Sequence, residues 1–215
     1  MQDIAIYGFG GFGRELACLL QKINLAEPTW NLIGFFDDGV AVGAENRYGS
    51  VLGNIDTLNQ YASPLAIVIA IASPEHLRLI SGRIVNPMIH FPNIIAPNVN
   101  IFDANAFKIG KGNIIFWGCR LSCDVELGDF NLLNGAVSLG HDVVVGNCNV
   151  LGPSTRLSGS CIAGDCNLFG VEAVVLQGIR IGNNTRMGIG AVVIRNTQDG
   201  CVYFGNPAKK VVGIH

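Results

Sequence analysis

The sequence predicts a small Rossmann-like α/β domain on a parallel sheet, followed by a hexapeptide-repeat parallel β-helix. Two patterns predict the β-helix. From Ile109 to Val193 every sixth residue is apolar, in a series that runs through Leu121, Leu133, Leu139, Leu157, Phe169 and Met187. The next position is often glycine, as at Gly110, Gly128, Gly140, Gly152, Gly164 and Gly182. This period fits neither the helical 3.6 nor the strand's 2. It fits a chain that turns a corner at each repeat and closes a triangular coil after three corners. The α/β domain is predicted by the buried strand Ile4–Tyr7, the turn Gly8-x-Gly10-x-x-Gly13 and the helical pattern that follows.

The elements follow in order. Arg14 to Lys22 reads as a helix with Leu16, Leu19, Leu20 and Ile23 on one face. Trp30–Phe36 is a second strand, ending in Asp37-Asp38-Gly39. Ile55–Gln60 is a short helix and Leu65–Ala72 a continuous apolar strand. Glu75–Ile84 is a helix opened by Ser73-Pro74. Strands alternating with helices imply a parallel sheet with right-handed crossovers over residues 1–85. Pro87, Pro92 and Pro97 mark the junction, the β-helix spans 95–197, and 198–215 is a tail.

Within the β-helix each corner side chain must fill the axis, and full burial of each is worth roughly 1.5–3 kcal/mol. The glycines are expected to let the backbone bend sharply and stack closely. Asn113, Asn131, Asn149 and Asn167 recur at the eighteen-residue spacing of one coil, which predicts an amide ladder at one corner. No insertion breaks the phase, so these coils carry no protruding loop.

Composition excludes several classes. The 215 residues have a net charge of −2 and only 14% charged residues, too little for a nucleic-acid or acidic-membrane partner. No stretch approaches the roughly 18 apolar residues of a membrane span, and no secretory leader is evident, so a cytoplasmic location is expected. The seven cysteines are odd in number and lack paired CxxC units, which points to reduced thiols.

The glycine-rich turn brings backbone N–H groups and a helix N-terminus against a phosphate. The sheet is short for a dinucleotide fold, so a nucleotide-diphosphate site is better supported than NAD; close helix–strand packing alone remains the plainer alternative. Asp37 and Asp38 either accept hydrogen bonds from a base or ribose or are turn residues before Gly39. Of His76, His90, His141 and His215, only His141 lies on the coils. An imidazole there is a candidate base, because its ordinary pKa of about 6.5 lets it exchange protons near neutrality; a solvated surface ring is the bland alternative. Asp142 is placed to orient it if a corner brings the two side chains to one side. One coil away lie Cys123 below and Gly159 above, and Gly159 is expected to leave room for a thin substrate. Cys123 is read as a packed thiol rather than a nucleophile. One coil histidine cannot assemble a three-histidine zinc site, so no metal is expected.

These features together resemble the bacterial sugar acyltransferases with a left-handed β-helix. That family includes sialic-acid O-acetyltransferases and N-acetyltransferases of UDP- and dTDP-4-amino-sugars and of GDP-perosamine. The segments that carry the likeness are 7–16, 35–39, the proline junction, 134–146, the hexapeptide run and 204–211. The resemblance implies an acetyl-CoA-dependent N-acetyltransferase acting on a nucleotide-linked 4-amino-4,6-dideoxy sugar in surface-glycan synthesis. His141 would be the general base, helped by Asp142. Asn134 would contact the acetyl thioester, and Gly159, Val171 and Ile189 the pantetheine arm of coenzyme A. Gly8, Gly10, Gly11, Asp37 and Asp38 would form the nucleotide-sugar pocket. The resemblance also implies a homotrimer with coenzyme A between neighbouring β-helices. Val150 departs from it, since a second histidine is common there. A sialic-acid-type O-acetyltransferase and a non-catalytic nucleotide-sugar-binding protein are the alternatives.

Overall fold

An unbroken apolar strand is what a sheet covered on both faces requires. In the computed structural model, which describes residues 1–211, Ile4, Ala5, Ile6 and Tyr7 of β1 (Gln2–Tyr7) are all buried. The tail beyond, with His215, lies outside the described residues. β1 pairs in parallel with β2 (Trp30–Phe36) and β5 (Leu65–Ile69). β3 (Glu45–Asn46), β4 (Gly49–Gly53) and β6 (Ile89–His90) complete the sheet in the order β3-β4-β2-β1-β5-β6. Within this sheet only β3 and β4 pair antiparallel. The helices are α1 (Gly11–Ala26), α2 (Ile55–Asn59) and α3 (Pro74–Arg83). The sheet is larger than the sequence suggests, because β3, β4 and β6 are short, and β6 lies among the prolines of the junction.

The β-helix is a left-handed prism with three parallel faces. The first face carries strands such as Ile114–Ile115, Leu132–Leu133, Val150–Leu151 and Leu168–Phe169; the second, Arg120–Leu121, Ser138–Leu139 and Arg156–Leu157; the third, Glu126–Leu127, Val144–Val145 and Ile162–Ala163. Successive coils pair without slippage, so Leu133 lies on Leu151 and Leu139 on Leu157. The sixth-residue series fills the axis: Ile115, Leu133, Leu151 and Phe169 are all fully buried in one cluster.

The corners correct the role expected of the glycines. The bend is made three residues after each apolar position, where φ is positive at Asp124, Phe130, Ala136, Asp142, Cys148, Ser154, Ser160, Cys166, Glu172 and Asn184. Left-handed backbone costs a non-glycine residue about 1–2 kcal/mol, so packing along the axis imposes it. The glycines that follow the apolar positions have ordinary φ values, and their role is clearance. A Cβ at Gly170 would lie 2.7 Å from the backbone of Gly188 and Ile189 in the next coil.

The expected ladder is present at the corner between third and first faces. Asn131 Nδ2 donates to Asn113 Oδ1 at 3.1 Å and Asn149 Nδ2 to Asn131 Oδ1 at 3.0 Å. Each side-chain oxygen also accepts a backbone N–H from the coil above, through Asn167 to Thr185. A second, more exposed ladder at the same corner mixes residue types: Asp129, Asn147, Asp165, Asn183 and Asp199 each accept a backbone N–H one coil away. The N–H of Asn183 holds the Asp199 carboxyl below its usual range.

The first face also forms the wall to which the α/β domain is fixed. Ile114, Phe116, Leu132 and Val150 share one core with Leu16, Leu20 and Phe35. Val150, where a second histidine is expected from the resemblance, is 4% exposed inside this core. Here the position serves interdomain packing, which an apolar side chain satisfies and an imidazole would not.

Candidate active site

His141 and Asp142 occupy the corner between the second and third faces. Neighbours in a regular strand point to opposite sides. The positive φ of 58° at Asp142 turns both side chains outward, and Nδ1 of His141 lies 2.7 Å from Asp142 Oδ2. Because a carboxylate can only accept, Nδ1 carries a proton, and in the neutral ring Nε2 is the atom with a free lone pair. The two side chains are 54% and 59% exposed, so the pair is open to a ligand. Coil stacking is as the spacing predicts: Asp142 N–H donates to the Cys123 carbonyl and Ser160 N–H to that of His141.

Gly159 has a different role from the one expected. The imidazole itself lies over it, and a Cβ would come within 2.6 Å of Cε1. The glycine therefore makes room first of all for the ring. Cys123 is partly exposed, whereas Cys119, Cys148, Cys161 and Cys166 are buried. Burial pushes the Cys119 thiol up to about 11 and that of Cys148 to about 12.

Asn134, Val171 and Ile189 lie at another corner, between the first and second faces. Asn134 folds its side-chain oxygen onto the N–H of Gly135 at 2.8 Å. Val171 and Ile189 stack one coil apart, with Gly190 N–H bonded to the Val171 carbonyl. They are 40% and 73% exposed and continue a ridge with Trp117, which is 55% exposed. A whole prism face, about 20 Å of extended chain at 3.3 Å per residue, separates this ridge from His141. A single chain therefore does not bring them together.

The glycine-rich turn joins β1 to α1 at the C-terminal edge of the sheet, between β1 and β5, where the strand order reverses. Ligands of open α/β sheets bind at such points. A cleft of about 370 Å³ opens there, lined by Gly8, Gly10, Asp37, Asp38, His76 and Tyr7 among others. Gly8 has φ +119° with its Cβ direction facing Ala70, a conformation for which glycine is needed. Asp37 accepts the N–H of Phe9 at 2.9 Å and that of Gly39 at 2.8 Å, so it pins the turn. Asp38 accepts the N–H of Ile55 at 2.9 Å and faces Arg83. Gly11 opens α1, which no side chain caps. Tyr7 and His76 also line the cleft and are absent from the sequence-based set. The signal for them was positional: residues ending β1 and following β5 border the switch point.

Among the described residues, no cluster of three metal-ligating side chains is found, and no helix is long and apolar enough to cross a membrane.

The chain thus joins an α/β domain with an open glycine-rich edge to a hexapeptide prism that carries one outward imidazole. Residues 3–83 match the PglD N-terminal domain family. No curated protein sequence matches the chain. Among solved structures, the chain is similar to the acetyltransferase domain of PglB from Neisseria gonorrhoeae in complex with acetyl coenzyme A. That likeness has a TM-score of 0.88 at 25% identity and covers 98% of this chain and 99% of that one. WeeI from Acinetobacter baumannii is 26% identical with a TM-score of 0.82, over 98% of this chain and all of that one. PerB from Caulobacter crescentus, solved with CoA and GDP-perosamine, shares the fold at 24% identity and a TM-score of 0.83, over 98% of each chain. The likeness to bacterial sugar acetyltransferases read from the sequence therefore extends over nearly the whole chain.

Proposed function

We propose that the protein transfers the acetyl group of acetyl-CoA to the amine of a nucleotide-linked 4-amino-4,6-dideoxy sugar. The observation that carries this reading is the His141–Asp142 pair, with Nδ1 held by the carboxylate and the exposed ring open to a ligand. A neutral amine attacks the thioester carbonyl, and Nε2 takes the amine proton as the tetrahedral centre forms. The centre then collapses, releasing the thiol of coenzyme A once the thiolate is protonated. General-base help of this kind is worth about 10²–10⁴-fold, and alignment of the two bound substrates supplies the rest. No acyl-enzyme is needed, so Cys123 has no chemical role.

Val171, Ile189 and Gly159 are proposed to bind the pantetheine arm, and Asn134 the acetyl end. Gly8, Gly10, Gly11, Asp37 and Asp38 are proposed to form the nucleotide-sugar pocket, with Asp37 acting by holding the turn. The separation of His141 from the Val171–Ile189 ridge favours a homotrimer. A three-fold arrangement sets one corner of a prism against a different corner of its neighbour and closes the ring. Coenzyme A would then lie between two β-helices, with the base from one and the apolar ridge from the other.

The test is incubation with acetyl-CoA and UDP-, dTDP- and GDP-linked 4-amino-6-deoxy sugars, read by mass spectrometry. One acetyl group gained by a sugar amine, with one thiol released, is the expected result. Acetylation of a sialic-acid hydroxyl alone would select the O-acetyltransferase reading. Thiol release with none of them would leave a nucleotide-sugar-binding protein.

A further inference from the structure

The N-terminus of α3 is built unlike an ordinary helix start. Ser73 stands at the N-cap with Pro74 after it, yet its hydroxyl caps no backbone N–H. A serine there ordinarily accepts a bond from the first turn. Instead, Ser73 Oγ donates to Glu75 Oε2 at 3.3 Å and lies 3.0 Å from Nδ1 of His76. Glu75 is held in turn by Arg186 of the β-helix, at 2.7 Å. The Arg186 and Ser73 bonds hold the Glu75 carboxyl below its usual range against the opposing effect of burial. The bonding chain fixes the tautomer. The single hydroxyl proton of Ser73 goes to the carboxylate, so Ser73 Oγ accepts from Nδ1–H. Nε2 of neutral His76 is left as an acceptor on a ring that lines the switch-point cleft.

A second observation is independent of this helix. Tyr7, at the end of β1, lines the same cleft, and its buried hydroxyl faces the Asp38 carboxylate without a well-aligned hydrogen bond to it or to any other group. Burial first, and the neighbouring Asp38 carboxylate second, push its pKa up, so it stays protonated. A buried hydroxyl left with only a poorly aligned neighbour is costly unless a ligand completes it.

We propose that His76 and Tyr7 are specificity-determining residues of this cleft, which together read a hydroxyl or N–H group and an adjacent acceptor on the nucleoside diphosphate part of the ligand. This rests on the nucleotide-sugar reading of the cleft given above. His76 Nε2 accepts from the ligand donor, and the Tyr7 hydroxyl donates to the acceptor beside it. Ser73, Glu75 and Arg186 are positioning residues that lock the ring. The helix gives up its cap so that the ring cannot rotate.

The test is calorimetric titration with UDP, GDP and dTDP, without any sugar or acetyl transfer. Wild type is expected to bind at least one of them. His76→Phe and Tyr7→Phe, which keep ring volume and remove the polar atom, should each weaken that affinity about tenfold or more. His76→Gln, whose amide presents an oxygen at similar reach, should recover part of the loss. Acetyl-CoA binding by the same variants should match wild type, which separates a lost contact from misfolding. Wild-type affinity in both phenylalanine variants would overturn the assignment and leave the nucleotide reading intact. If wild type binds none of the three diphosphates, the nucleotide reading falls and this assignment falls with it.

Discussion

The two halves of the chain place chemistry by different rules. In the β-helix every coil repeats the last, so a chemical group shows itself as a departure from the period. His141 is such a departure, in a column whose adjacent rungs are Cys123 and Gly159. In the α/β domain no period exists, and the site is set by topology. Residues as distant in sequence as Tyr7, Asp38 and His76 meet because β1, β2 and β5 end side by side. A repeat thus advertises its active residue in one dimension, while a doubly wound sheet hides its own until strand order is known.

The largest effect is expected where the halves meet. Phe116 is fully buried against both, and Phe116→Ala should cost about 3–5 kcal/mol. Calorimetry should then resolve two melting transitions in place of one; a single undiminished transition would mean that the halves are not coupled through this core. Next comes the departure from the repeat. His141→Ala should lose about a hundredfold or more in turnover while binding both substrates and melting as wild type does. A near-normal rate would remove the general base from the scheme. Gly159→Ala is expected to act in the same direction by displacing the ring, with a smaller loss in kcat and little change in Tm.

The two ladders offer a finer comparison. Asn149→Ala removes a buried rung and strands the Asn167 N–H, at an expected cost of about 1–3 kcal/mol in a denaturant melt. Asn147→Ala, in the exposed ladder, should cost less than half as much because water replaces its bonds. Equal losses would show that exposure does not distinguish the ladders. The smallest effect is chemical. At pH 8 the thiols of Cys119 and Cys148, whose values lie near 11 and 12, remain protonated and buried. Peptide mapping after brief alkylation should find label on Cys18, Cys123 or Cys201 and none on those two. Cys148 shares a buried cluster with Leu77 and Ile80 of α3, so its rapid labelling would mean that this packing opens readily.

Much of the prism was legible because its period is enforced by axial packing, and Asn113, Asn131, Asn149 and Asn167 share one residue type. The second ladder was not, since Asp and Asn alternate and only their common acceptor oxygen repeats. The positive-φ corners were also hidden: Phe130, Ala136 and Glu172 have no local preference for that conformation and adopt it because the stacked coils leave no other path. In the α/β domain, Trp30–Phe36 matched its strand to the residue, as a long apolar segment should. β3, β4 and β6 are too short to carry a pattern. In the sequence Val150 shows only as a departure from the resemblance, because its partners in the interdomain core lie far away along the chain. His76 looked like an ordinary helix residue until β5 was seen beside β1.

The left-handed corner at residue 142 has a consequence for how the His141–Asp142 pair could be altered. The alliance of ring and carboxylate depends on which of two adjacent positions carries the inverted torsion. Exchanging the two side chains, as in His141→Asp with Asp142→His, would preserve composition, charge and volume. It would also carry the imidazole to the wrong side of the bend and away from its glycine berth. The geometry of this corner is therefore written in the order of its residues as much as in their identity.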